Sequence, residues 1–293
     1  GQYKLKTSFS TTSGNLELES NDSTSTAQTI TEDTTYTGER NGSSDSYDYY
    51  KITAPTGKTT MTVLLSHVTA NASGSDYSAD VYHGNLVASI SALNGLSDNQ
   101  TFGVVAGDTY YIRVNVGSAS LGNSTDGYTR YRYQLKASFG TENYELELNN
   151  SFSSAQTISA GSWYIGQWSG YKTEDWKNYA NDYYKVTATA NTMTVSLQHG
   201  TANDSSSDFS VLIYNSSESQ IDSFSAYNGV DNSKAVSVTS GQTYYIRVDG
   251  QSSYSGQYKL KTSFSSTSGN LELESNDSTS TAKTITEDTT YTG

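Results

Sequence analysis

Short runs of alternating apolar and polar residues recur along this chain, separated by turn residues at a spacing of about 8 to 12 positions. Alternation with period two sends successive side chains to opposite faces of a strand. The pattern predicts strands near 34–38, 47–53, 59–67, 79–83, 86–91, 101–105, 109–116 and 128–139. Pro55-Thr56-Gly57, Gly84-Asn85 and Ala106-Gly107-Asp108 supply the turn chemistry between them. No segment sustains a helical period, and the short Ser23–Ala27 stretch comes nearest to one. The expected fold class is all-β, an antiparallel β-sandwich of jelly-roll type.

The pattern then repeats at two scales. Residues 1–38 return as residues 256–293 with two changes, Thr11 to Ser266 and Gln28 to Lys283, which gives a period of 255 residues. Inside that period lies a weaker copy, in which residues 133–158 resemble residues 3–30. The register of this inner copy holds through Asp48-Tyr49-Tyr50-Lys51 and Asp182-Tyr183-Tyr184-Lys185, then through Thr109–Val114 and Thr243–Val248. A unit of roughly 128 residues can bury its own core, so the domains are expected as beads in tandem, not as coils of a solenoid. The expected division is residues 1–16 as the last strand of a preceding repeat plus linker, 17–140 as a first sandwich, 141–265 as a second, and 266–293 as a linker with the first strand of the next repeat.

Composition narrows the function. Only 33% of residues are hydrophobic, but 25 tyrosines supply rings that can be buried while their hydroxyls stay at water. There is no cysteine, hence no disulfide and no thiolate site. A net charge of −13 opposes binding to a phosphate backbone, and no nucleic-acid partner is expected. No apolar run approaches the roughly 18 residues of a membrane span. The Ser, Thr, Asn, Gly and Tyr bias suits an extracellular or cell-surface location. Neither His-Glu-x-x-His, Gly-x-Ser-x-Gly nor a phosphate-binding loop occurs, so no enzyme is expected. His67 and His199 share one strand-end position, which predicts a structural role for both.

An acidic motif opens every copy: Glu17, Glu19, Asn21, Asp22; then Glu145, Glu147, Asn149, Asn150; then Glu272, Glu274, Asn276, Asp277. In an extended segment residues two apart share a face, so both glutamates and the first asparagine point one way. Two readings follow. In one, the segment is a half-exposed strand with Leu16 and Leu18 inward and the glutamates outward, closed by an Asn-Asp-Ser turn. In the other, three oxygen ligands line one side for a hard cation such as Ca2+, with Asp45 and Asp48 as further donors.

The ordered set Glu-x-Asn-Asp, a small Ser/Thr run, Ala-x-x-Ile, Gly, Asp-Tyr-Tyr-Lys, Tyr-Tyr-Ile-Arg-Val and Tyr-x-Leu resembles the bacterial prepeptidase C-terminal domain. It is especially similar to the collagen-binding domains of clostridial collagenases, and two full and two partial copies cover essentially the whole chain. The resemblance implies a jelly roll that binds Ca2+ where the linker meets the fold. It places Glu17, Glu19, Asn21 and Asp22 on linker ligands and Asp45 and Asp48 on body ligands, with Glu145, Glu147, Asn149, Asn150 and Asp182 matching in the second domain. Tyr179 stands where Asp45 would fall, with Asp175 or Asn178 as substitutes in a loop longer by six residues. Calcium there would order the linker against the domain body and stiffen the array.

Two kinds of partner are expected. Near-identical recurrence points to adjacent copies of the chain in a stalk, adhesin or fibre. The alternative is a module that binds collagen or a glycan, for which Trp163, Trp168 and Trp176, clustered in the second domain, are the candidate contacts.

Overall fold

β-Branched and aromatic residues alternate with Ser, Thr, Lys and Asn over most of the sequence, and each such run pairs its backbone across a sheet while burying alternate side chains. The computed structural model describes residues 15–39, 47–68, 77–93, 95–116, 132–168, 181–200, 208–227, 229–250, 256–266, 270–271, 278–280, 282 and 284–292. The chain divides into two units, residues 1–141 and 142–293. Both are all-β.

The first unit contains β1 (Asn15–Leu16), β2 (Gln28–Thr29), β3 (Thr35–Glu39), β4 (Tyr47–Thr53), β5 (Thr60–His67), β6 (Tyr77–His83), β7 (Asn85–Ala92), β8 (Asp98–Gly103), β9 (Thr109–Val116) and β10 (Arg132–Gly140). One sheet runs β1-β3-β10-β5-β8 and the other β2-β4-β9-β6-β7. The second unit contains β11 (Gln156–Thr157), β12 (Trp163–Trp168), β13 (Asn181–Thr187), β14 (Thr192–His199), β15 (Phe209–Tyr214), β16 (Gln220–Ala226), β17 (Asn232–Ser237), β18 (Thr243–Gly250) and β19 (Gly256–Ser265). Its sheets, β12-β19-β14-β17 and β11-β13-β18-β15-β16, repeat the first unit's order except that β1 is reduced to a single parallel bridge between Tyr144 and Ile165. A further pair, β20 (Asn270–Leu271) with β21 (Tyr291–Thr292), repeats the β1–β3 pairing in the same register.

Both cores form where the inward faces of the two sheets meet. Met61, Val63, Leu65, Ile112 and Leu135 are buried in the first, and Met193, Val195, Leu197, Ile246 and Leu260 fill the same positions in the second. Tyrosines complete each core, and their hydroxyls accept backbone amides at turns: Tyr110 from Val105 at 2.8 Å, and Tyr244 from Thr239 at 2.8 Å. Gly57, Gly84 and Gly107, in the turns expected from sequence, all have positive φ, which favours glycine.

The strands are antiparallel except at the domain entrance, where β1 pairs with β3 and β2 with β4 in parallel. The entering chain runs along one sheet before crossing to the other, so a local hairpin cannot form. No helix among the described residues is long and apolar enough to cross a membrane.

Candidate metal centre

Backbone hydrogen bonds set how deeply the entrance segment seats. In the first domain Glu17 N donates to Thr37 O at 3.0 Å and Tyr49 N donates to Asn21 O at 2.8 Å. In the second, Glu145 N donates to Ile165 O and Tyr183 N to Asn149 O, both at 2.8 Å. A glutamine closes each loop: Leu18 N donates to Gln28 Oε1 and Leu146 N to Gln156 Oε1, both at 2.9 Å. In both domains the peptide after the second glutamate, Glu19–Ser20 and Glu147–Leu148, is cis.

This seating turns the first domain's segment the opposite way from a half-exposed strand with its leucines inward. Leu16 and Leu18 are 67% and 69% exposed, whereas Asn21 is fully buried and Glu17 reaches the tyrosines beneath it. The cause lies in the fold. The space under the segment is floored by tyrosine hydroxyls and a buried aspartate, which solvate a carboxylate and offer nothing to leucine.

Tyr50 and Tyr133 join across the sandwich through their hydroxyls at 2.7 Å. Tyr50 donates to Glu17 Oε2 at 3.2 Å and Tyr133 donates to Asp48 Oδ2 at 2.5 Å, with the Tyr133 hydroxyl also 3.3 Å from Glu17 Oε2. Glu17, Glu19 and Asp48 each present a carboxylate oxygen within 4.8 Å of the other two. The second domain repeats the tyrosine pair and two of its carboxylates, but among the described residues only the first domain's three acids gather this closely. Tyr184 and Tyr258 meet at 2.8 Å, Tyr184 donates to Glu145 Oε2 at 3.2 Å, and Tyr258 donates to Asp182 Oδ2 at 2.5 Å. Gln167 N adds a hydrogen bond of 2.6 Å to Glu145 Oε1.

Each ring lies against a glycine. A Cβ on Gly38 would fall 2.2 Å from Tyr133 Cζ, and one on Gly166 would fall 2.2 Å from Tyr258 Cζ. Only glycine lets the strand pass so close to the tyrosine that carries the site.

Burial dominates the electrostatics of the second domain. It pushes Glu145 well above the usual carboxylate range, with the charges of Asp182 and Glu147 adding to the effect. Glu147 is pushed up to about 8 by burial and by Asp182, and Asp182 to about 7 by burial against the opposing hydrogen bonds of Tyr258 and Glu145. Acids gathered in low dielectric favour protonation unless a cation neutralises them.

The donor chemistry fits a hard cation. The gathered side chains offer oxygen alone, with neither imidazole nor thiolate in the set, which suits Ca2+ and disfavours softer metals. Asn21 and Asn149, both 0% exposed, have amide atoms with no hydrogen-bond partner among the described residues. An unmet buried polar group costs about 1–3 kcal/mol, and a cation accepting the Oδ1 lone pairs removes part of that cost. Buried oxygens of Glu147 and Asn150 are in the same condition.

Asp22 is exposed, beside this group. Asp45, Asp175 and Asn178 lie outside the described residues, as do Glu272, Glu274, Asn276 and Asp277 of the third copy, Trp176, and the side chain of Trp168. Trp163 lies across from Lys261, whose Nζ stands 4.5 Å from the centre of the indole ring, so its ring is engaged by its own sheet. The histidines sit as structural residues: His67 Nε2 bonds to Ala92 O at 3.0 Å, and the His199 ring packs on Phe209.

Sequence reasoning missed the paired tyrosines and their glycines. The signal was present, since Tyr50/Tyr184, Tyr133/Tyr258 and Gly38/Gly166 all recur at matching positions. It read as core patterning, because nothing local shows that a buried ring ends on a carboxylate.

No family model matches the chain, and no curated protein does. Among solved structures, the chain is similar to the pre-peptidase C-terminal domain of collagenase from Bacillus anthracis, at 18% identity and a TM-score of 0.28, over 37% of this chain and 93% of that one. It is also similar to the N-terminal CBM22-1–CBM22-2 tandem domain of Xyn10C from Paenibacillus barcinonensis, at 9% identity and a TM-score of 0.24, over 75% of this chain and 83% of that one.

Proposed function

We propose that this chain is a non-catalytic repeat region of an extracellular structural protein, a stalk, adhesin or surface fibre, whose prepeptidase C-terminal-like domains take up Ca2+ at their entrances. One observation carries the reading: Glu17 and Glu145 reach the buried tyrosine hydroxyls beside a fully buried asparagine amide that lacks a hydrogen-bond partner among the described residues. In the first domain the ion would draw on Glu17, Glu19, Asp48 and Asn21 Oδ1, and in the second on Glu145, Glu147, Asp182 and Asn149 Oδ1. Carbonyls, water and, in the first domain, Asp45 would complete the 6 to 8 oxygens that Ca2+ takes. Glu272, Glu274, Asn276 and Asp277 would serve a following domain in the same way.

The ion supplies positive charge that offsets carboxylate repulsion and fastens the entrance segment to the sandwich, coupling binding to folding. Adjacent copies of the same chain are the natural partners of such an array. Calorimetric melts in calcium and in chelator test the reading. With free Ca2+ at ten times an affinity of about 10⁻⁴ to 10⁻³ M, the native state gains roughly 1.4 kcal/mol per site and the midpoints rise. Asp48→Asn should remove the first domain's share of the rise and Asp182→Asn the second's. Identical midpoints of the unaltered chain in calcium and in chelator would sink the proposal.

A further inference from the structure

The two domains share one more feature, and only one of them completes it. In the second domain the ring of Phe152 packs edge-on among three tyrosines of the outer sheet face, with centroids 4.8 Å from Tyr183, 5.0 Å from Tyr214 and 5.2 Å from Tyr245. Tyr183 and Tyr214 are each only 8% exposed as a result. Phe152 rides on a tight turn held by Ser151, whose Oγ hydrogen-bonds Ser153 and Ser154 at 3.0 and 2.8 Å, while Ser154 N donates to Ser151 O.

The first domain builds the same floor. Tyr82 faces Tyr111 across the β6–β9 ladder as Tyr214 faces Tyr245 across β15–β18, and Tyr49 opposes Arg113 as Tyr183 opposes Arg247. Even the register shift before the strand-end tyrosine recurs, between Val81 and Tyr82 and between Ile213 and Tyr214. The turn above is also the same. Ser23 Oγ hydrogen-bonds Ser25 and Thr26, both at 2.9 Å, and the turn is anchored through Tyr49 N to Asn21 O as its counterpart is through Tyr183 N to Asn149 O. At the position of Phe152, however, stands an exposed Thr24. The counterparts of the two buried tyrosines, Tyr49 and Tyr82, are left partly exposed. Arg113 sits at the same rim, with its guanidinium 5.3 Å from the Tyr82 ring and 2.6 Å from Asp80.

We propose that Tyr49, Tyr82 and Tyr111 of the first domain form a binding recess for an aromatic side chain of a partner peptide, at the place that Phe152 fills from within the second domain. The occupant is read from this chain itself: the same three-tyrosine floor, under the same turn, holds a benzyl ring edge-to-face. Edge-to-face ring pairs attract beyond the area they bury, and the Arg113 guanidinium, 4.9 Å from the Tyr47 ring and 5.3 Å from the Tyr82 ring, braces the rim of the recess. A single ring so held binds weakly, and repetition of the domain along an array multiplies its effect. The recess does not depend on the proposed calcium site.

The test uses the whole chain in calcium, with tyrosine rings 13C-labelled and followed by NMR. N-acetyl-phenylalaninamide at millimolar concentration should shift the rings of Tyr49, Tyr82 and Tyr111, while N-acetyl-leucinamide and cellobiose should not. Thr24→Phe should fill the recess from within, abolishing those shifts and raising the first domain's melting midpoint by about 2 to 4 °C. Phe152→Thr should open the second domain, so that the phenylalanine probe now shifts Tyr183, Tyr214 and Tyr245. Shifts induced by cellobiose alone would overturn the proposal in favour of a sugar site. Equal shifts with the leucine and phenylalanine probes would overturn it as mere apolar contact. Should Thr24→Phe fail to fold, the Phe152→Thr arm decides: no new shifts there, in a folded chain, would overturn it as well.

Discussion

Tyrosine is the residue on which this protein turns. A buried ring fills a strand-rich core, and its hydroxyl must then find a partner inside. Some hydroxyls accept turn amides, as those of Tyr110 and Tyr244 do. Tyr50, Tyr133, Tyr184 and Tyr258 instead end on carboxylates, and these four make the candidate site. The close approach of Gly38 to Tyr133 makes this arrangement sensitive to one methyl group. Gly38→Ala should destabilise the first domain by about 1–3 kcal/mol, since the ring or the strand must move, and Gly166→Ala should act alike in the second. Chemical denaturation of each variant measures the loss. A change below a few tenths of a kcal/mol would mean that Tyr133 does not need the position it holds.

At the scale of elements, the entrance segment departs from the rule followed by the sandwich strands. Alternation predicted β3 to β10 closely, because each of those strands has one face on an apolar core. It left the entrance with two opposite readings, because alternation gives the period of a strand and says nothing about which face is apolar. The floor beneath decides that, and the floor comes from Asp48 and Tyr133, far along the chain. The acids of the second domain make the point measurable through pH. Glu145, Glu147 and Asp182 all have folded pKa values raised above their unfolded ones, so without metal the folded state binds more protons than the unfolded state. Their contribution is fully present below about pH 4 and is lost as the pH rises through about 7 to 8. In chelator the second domain's midpoint should therefore fall, by about 5 °C or more, between pH 5 and pH 8.5. In saturating calcium the trend should flatten or reverse, since the ion binds the deprotonated carboxylates. A midpoint that rises with pH in chelator would contradict the burial of these groups.

At the scale of the whole molecule, each of the two sandwiches carries its own core. A fragment of residues 15–141 contains one complete pair of sheets and should unfold cooperatively, with a calcium-dependent midpoint of its own. Circular dichroism melts of the fragment check this, and a broad non-cooperative transition in calcium would count against it. The halves differ in what surrounds equivalent positions: Phe152 packs among a tyrosine trio in one, and an exposed Thr24 stands in its place in the other.

The sequence by itself determined the all-β class, the strands, the turn glycines and the recurrence of an acidic motif, since period, turn chemistry and repetition are local properties. Tertiary structure alone decided that Glu17 and Glu145 face inward, that tyrosines from opposite sheets receive them, and that Phe152 packs on one of two homologous tyrosine clusters where an exposed Thr24 stands at the other. Each of these depends on which side chains meet from positions tens of residues apart, and local alternation is the same whichever way they meet.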